Sequence, residues 1–237
     1  MNSKSLLKTA AIATVGAVCI AFSSTKAGHA ATIDTTPSWD GSEGFGYFGD
    51  GSTATVGQTF TVGTDNVLQN FSFRLGGSGG QGTVDFAAYV MQWDGAKATG
   101  PILYQSGQQS KDAGNLSFQV FSFNTAGIPL TSGYEYVAFL SASNFYSGNL
   151  NYTQLGSVSS DPYPGGLLVY NNSGNNFNNV TLNNWQIQYT STDAVFTASF
   201  SDGAAVIPTP ALLPGLLGIG IAALRKRKAE AGMAEES

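Results

Sequence analysis

The 237-residue chain contains one cysteine and one histidine, Cys19 and His29, and both fall within its first 30 residues. Everything after them lacks thiol and imidazole. Disulfides, zinc fingers, Ser-His-Asp triads and Cys-His dyads are therefore excluded from the rest of the chain. Charge is scarce as well: only 11% of residues are charged, and 10 Lys and Arg face 15 Asp and Glu. Lys4, Lys8 and Lys26 precede residue 30, and Arg225, Lys226, Arg227 and Lys228 run consecutively near the end. Residues 31–203 thus hold only Arg74, Lys97 and Lys111 as cations. A body this acidic repels phosphate backbones, so nucleic acid is excluded as a partner.

Low charge signals disorder only when hydrophobicity is also low. Here 42% of residues are apolar and 12% aromatic, with 30 Gly, a composition that points to a packed β-rich core. No helical period of 3.6 appears between residues 31 and 203; the period there is two. In Leu68–Leu75, Phe71, Phe73 and Leu75 alternate with Ser72 and Arg74. In Thr83–Trp93, Val84, Phe86, Ala88 and Val90 share one face, with Tyr89 and Met91 on the other. Tyr134, Tyr136, Ala138 and Leu140 oppose Val137 and Phe139, the pattern of a strand covered on both faces, and Ala194, Phe196, Ala198 and Phe200 line one side of a last strand. Asp94-Gly95, Thr99-Gly100-Pro101, Ser132-Gly133 and Pro164-Gly165-Gly166 punctuate these runs as turn signals.

About nine to eleven strands with no crossover helices predict an all-β fold, an antiparallel jelly-roll-like β-sandwich over residues 31–203. A body of that length buries enough core to stand without disulfides. The Asn-rich run from Asn171 to Asn184 is expected to form a long loop or irregular hairpin at the sandwich edge.

Residues 1–30 read as a secretory signal peptide. Lys4 and Lys8 form a basic start, Thr9 to Phe22 an apolar stretch, and Gly28-His29-Ala30 supplies small residues for signal peptidase, with cleavage after Ala30 or Ala31. Lipidation at Cys19 fits poorly, because Val18 stands where Gly or Ala normally precedes such a cysteine.

Near the other end, Ala211 to Leu224 is uncharged and abuts Arg225 to Lys228. At 1.5 Å per residue those fourteen residues reach about 21 Å, short of a ~30 Å hydrocarbon core. Extending the segment back to Val206 brings in Pro208, Pro210 and Pro214. A buried core helix is ruled out by the basic cluster, which has no way to be buried unpaired. The cluster instead acts as a positive-inside signal that leaves residues 229–237 in the cytoplasm and the β body outside.

Pro208-Thr209-Pro210-Ala211, the apolar helix and the basic cluster, in that order, resemble a PEP-CTERM sorting signal of the PTPA subtype seen mainly in cyanobacteria. The resemblance covers about the last 30 residues, here 204–228 plus the tail. It implies recognition by an exosortase-type membrane protease, transient insertion in the inner membrane, removal of the tail, and delivery to the envelope, outer surface or exopolysaccharide matrix. Pro-Thr-Pro stands where the family usually has Pro-Glu-Pro, which implies a specialised processing enzyme. The body resembles a β-sandwich domain that recurs in front of such tails, and that resemblance adds only the fold.

Three constellations in the body bear on activity. Trp39, Tyr47, Phe48, Phe145, Tyr146, Tyr152, Tyr163, Tyr170 and Trp185 lie in Gly-, Ser- and Asn-rich segments. Of these, Tyr146, Tyr163 and Trp185 are the candidate glycan contacts, since aromatic faces stack on sugar rings while Asn and Asp bond hydroxyls. Glu43, Glu135, Asp50, Asp85, Asp94, Asp112, Asp161 and Asp193 are scattered, and nothing in their spacing selects a catalytic pair. Asp50-Gly51-Ser52 and Ser160-Asp161-Pro162-Tyr163 offer oxygens for Ca²⁺ without a D-x-D-x-D loop; no cofactor is expected. The reading is a non-enzymatic exported surface or matrix protein with weak binding to exopolysaccharide. The alternatives are a carboxylate-dependent carbohydrate-active enzyme and an adhesin or scaffold with a protein partner.

Overall fold

The alternating runs form the two sheets that their period demands. In the computed structural model, residues 31–50, 53–77, 81–187 and 189–203 are described. The signal-peptide segment 1–30, the Pro208–Ala211 motif and the Arg225–Lys228 cluster lie outside the described residues. Among those described, no helix is long and apolar enough to cross a membrane.

One sheet runs in the order β1 (Thr32–Asp34), β14 (Phe196–Ser201), β4 (Val67–Gly76), β10 (Tyr152–Val158), β13 (Asp193–Ala194). Onto it β2 (Gly44–Gly49) pairs with β10, and β8 (Gln119–Pro129) with β4. The other runs β12 (Gln186–Ile187), β11 (Leu168–Asn171), β3 (Thr55–Thr61), β9 (Glu135–Ser141), β5 (Thr83–Trp93), β6 (Ala98–Gln105), with β7 (Gln109–Asp112) also on β5. Strand pairing is antiparallel throughout. The fold is an all-β sandwich. Its fourteen described strands exceed the expected number because β1, β7, β12 and β13, of two to four residues each, are too short to show an alternation.

Between the sheets lies the main core. β4 contributes Phe71, Phe73 and Leu75, β5 Val84, Phe86, Ala88 and Val90, β9 Tyr136, Ala138 and Leu140, and β14 Phe196, Ala198 and Phe200. Each fully buried side chain of this size contributes about 1.5–3 kcal/mol relative to exposure. The other faces of β5 and β9 are also dry: Tyr89, Met91, Val137 and Phe139 join Trp93, Val169, Val180 and Trp185 in a second core.

That second core corrects two expectations. The Asn-rich run is not an edge loop. It lies over the outer face of the second sheet, with a single helical turn α1 (Asn179–Leu182), and drives Phe177, Val180 and Trp185 into it. Phe177 packs 4.7 Å from Tyr89, between ring centroids. Thr99-Gly100-Pro101, likewise, does not separate strands. It lies inside β6, where Gly100 has φ 71° and the pairing with β5 is irregular, Gly100 to Leu103 standing opposite Met91 alone. Asp94-Gly95 is a turn as expected, with the Asp94 carboxylate accepting from the Ala96 and Lys97 backbone N–H groups, each at 2.9 Å.

Candidate glycan-binding cleft

A bulge shapes the principal cleft. β2 pairs Phe48 with Thr153 and Phe45 with Leu155, so Gly46 and Tyr47 together oppose Gln154 alone. Gly46 takes φ 59°, in the left-handed region that glycine adopts without penalty. The extra residue puts both Phe45 and Phe48 in the core and turns Tyr47 outward, 52% exposed. A regular strand would place residues three apart on opposite faces; the bulge is what re-aims the tyrosine.

Tyr47 borders a cleft of about 500 Å³ where β2 and the end of β10 meet the end of β11 and the segment before β13. Phe45 and Tyr170 contribute to its lining, with ring centroids 5.1 Å apart. Tyr47, held edge-on against Tyr152 at 4.6 Å, and Tyr189, 65% exposed, add two further rings. Asn172, Ser157, Ser159, Thr53 and Thr192 supply amide and hydroxyl groups. Among the described residues, Glu43 is the only charged one in the lining. Its carboxylate accepts from the Ser159 N–H at 3.3 Å, and its main-chain carbonyl accepts from the Ser157 N–H and from Trp39 Nε1. Volume, ring faces and a few oriented polar groups are the ingredients of a small-ligand site.

A smaller cleft of about 280 Å³ opens along the second sheet, with Glu135, Asp161, Trp93 and Pro164 in its lining. Asp193 is fully buried nearby. Its carboxylate accepts from Gln58 Nε2 at 2.7 Å and from the Tyr163 N–H at 2.9 Å, while Gln58 Oε1 accepts from the Ala194 N–H. Burial pushes the Asp193 carboxyl up to about 6, with these hydrogen bonds opposing the rise and the charge of Asp161 adding to it.

The structure does not bring the three sequence-derived glycan contacts together. Tyr146 is exposed, beyond the short 3₁₀ turn Ser143–Phe145, and lines neither cleft. Tyr163 packs on the main core, and its hydroxyl donates to the Thr61 carbonyl and accepts from the Thr61 N–H; burial pushes that hydroxyl's pKa up. Trp185 is a correction: it is buried, its Nε1 donates to the Val180 carbonyl at 2.8 Å, and it meets Trp93 and Phe139 edge-on. Composition placed it in a loop-like run; packing makes it an anchor of the second core. Of the wider aromatic set only Tyr47 and Tyr170 reach the principal cleft, and Phe48 is fully buried. Tyr189 and Asn172 were missed: Tyr189 sits in a polar run of Gln, Thr and Ser, not in the Gly-, Ser- and Asn-rich segments that singled out the others.

The Ca²⁺ candidates also part company. The buried Asp50 carboxylate accepts from the N–H of Ser147, at 2.8 Å, and from its hydroxyl, while Asp161 is exposed at the smaller cleft. Among the described residues no three acidic, His or Cys side chains cluster as a metal site.

No family profile and no curated protein matches the chain. Among solved structures it is similar to the cysteine protease and lectin-like domains of Cwp84, a surface layer associated protein of Clostridium difficile, with a TM-score of 0.39 and 12% identity over 63% of this chain and 32% of that one. The chain spans about a third of the length of that structure. At this TM-score the likeness carries neither site nor activity across.

Proposed function

We propose that the protein is an exported, non-enzymatic surface or exopolysaccharide-matrix protein that binds glycan chains through the principal cleft. The observation that carries the reading is the set of three tyrosines, Tyr47, Tyr170 and Tyr189, around a concave surface whose lining also holds Phe45, Glu43 and the amide and hydroxyl groups of Asn172, Ser157, Ser159, Thr53 and Thr192. Sugar rings present C–H faces to aromatic rings and hydroxyls to such polar groups. Export rests on the leader of residues 1–30, and sorting by an exosortase-type protease on the Pro208–Ala211 motif, the apolar run and the Arg225–Lys228 cluster.

The test is calorimetric titration of the intact chain with neutral hexaoses of glucose, mannose and galactose. Binding is expected, and Tyr47→Ala and Tyr189→Ala should each weaken it about tenfold, the equivalent of about 1.4 kcal/mol. Both side chains are more than half exposed, so the melting temperature should hold. No binding beyond that of an unrelated acidic protein would remove the glycan reading.

A second reading, a carbohydrate-active enzyme, is favoured by Glu135 and Asp161 sharing the smaller cleft. Asp193 does not strengthen it. Its raised pKa suits a general acid, but both carboxylate oxygens are engaged by Gln58 and Tyr163 beneath the surface, which marks a structural perturbation. Release of reducing ends from native exopolysaccharide, abolished by Glu135→Gln, would establish this reading. No release by the wild-type chain would remove it.

A further inference from the structure

We infer that the principal cleft selects uncharged glycans and rejects uronic-acid polymers, with Glu43 as the specificity-determining residue; this rests on the glycan reading above. Among the described residues, the cleft lining contains one carboxylate residue, Glu43, and no cation. None of the three cations of residues 31–203 lines the cleft. Lys111 is fully buried, its ammonium donating to the Asp112 and Asn115 carbonyls at 2.7 and 2.6 Å. The Arg74 guanidinium lies 5.4 Å above the ring of Trp39, the side chain that bonds the Glu43 carbonyl, outside the cleft lining, and Lys97 follows the Asp94 turn. Two donors on the Glu43 carbonyl fix the backbone from which its side chain projects, and the Ser159 N–H donates to the carboxylate at 3.3 Å.

A sugar carboxylate seated on these tyrosines meets the negative charge of Glu43 in the same recess. Field lines concentrate in a concave low-dielectric site, and like charges a few ångströms apart oppose binding strongly there. A neutral hexose meets instead a strong hydrogen-bond acceptor. The same group that penalises the anion therefore rewards a hydroxyl donor, and the two effects act in one direction.

The experiment compares each neutral hexaose with the same chain oxidised at C6 to the uronate: hexaglucuronate, hexamannuronate and hexagalacturonate. With the wild-type chain at low ionic strength, the uronate partner of any hexaose that binds should be at least about tenfold weaker, and the gap should narrow in 0.5 M NaCl. Glu43→Gln keeps an acceptor for the Ser159 N–H and removes the charge. It should cut the discrimination several-fold, chiefly by improving uronate binding, with an unchanged melting temperature. Equal binding of neutral and oxidised chains by the wild type, or discrimination left intact in Glu43→Gln, would overturn this inference while leaving glycan binding standing. Binding of no hexaose would remove both.

Discussion

At the scale of single residues, burial separates acids that the sequence presents as equals. Asp193 and Asp85 each sit beside apolar neighbours in a β segment, yet Asp193 alone is wholly buried and joins three pieces of chain through Gln58, Tyr163 and its own strand. The consequence is a pH dependence with a definite sign. The native carboxyl, at about 6, holds a proton more tightly than the ordinary value of 3.8 allows in the unfolded chain. Its contribution to stability is therefore fully present below about pH 4, declines as pH rises through 6, and is level above that. A rise from 3.8 to about 6 corresponds to at most about 3 kcal/mol. Urea unfolding between pH 4.5 and 7.5 should show the wild type more stable at the acidic end. Asp193→Asn should lose that difference; an unchanged slope in the variant would mean that another group titrates in this window. Nothing in the sequence could have chosen Asp193, because the choice depends on Gln58, 135 residues away.

At the scale of elements, the long strands were legible and the covering segment was not. The inward faces read from β4, β5, β9 and β14 are the faces that enter the main core, and Val137 and Phe139 do meet a second layer. Period-two patterning survives because each of these strands is long enough to repeat. Tyr134 departs from it: it stands just before β9 and is 53% exposed. The Asn171–Asn184 run failed for a different reason. Its apolar residues, Phe177, Val180 and Trp185, follow neither a strand nor a helix period, and only the apolar outer face of β5 and β9 explains them. As a ligand contact, Trp185 would be replaceable without loss of stability. As a buried anchor it is not: Trp185→Ala should destabilise the domain by about 3–5 kcal/mol, measured by denaturant unfolding followed by circular dichroism. The loss should appear first as faster amide exchange in residues 172–185, since this stretch between β11 and β12 packs on the sheet through Phe177, Val180 and Trp185 and contains just one helical turn of its own. A change within about 0.5 kcal/mol would show that the cover is held by something other than these three side chains.

At the scale of the whole molecule, charge and processing are linked. The full chain carries a formal −5, but twelve of its fifteen acids and only Arg74, Lys97 and Lys111 of its cations lie between residues 31 and 203, so that body carries −9. Its acidity is thus masked by a leader and a tail that the proposed route removes. The two proposed leader cuts would leave the sandwich with different contacts at its start. The Ala31 nitrogen lies 3.0 Å from an Asp65 carboxylate oxygen, and the Ala31 carbonyl accepts from the Phe200 N–H at 2.8 Å. A cut after Ala30 keeps both bonds and sets a new ammonium against a carboxylate; a cut after Ala31 deletes both. Mature material released from cells should therefore begin at Ala31, lack Arg225–Lys228, and focus at a lower pH than the sequence value of about 4.6. Intact mass and isoelectric focusing read these outcomes together. In cells without the processing protease, the tail should remain and intact mass should show Arg225–Lys228 retained, with the cluster on the cytoplasmic side of the membrane. Released protein with its C-terminus intact would refute proteolytic sorting. It would leave the cleft's chemistry untouched, because the cleft-lining residues lie between Glu43 and Thr192.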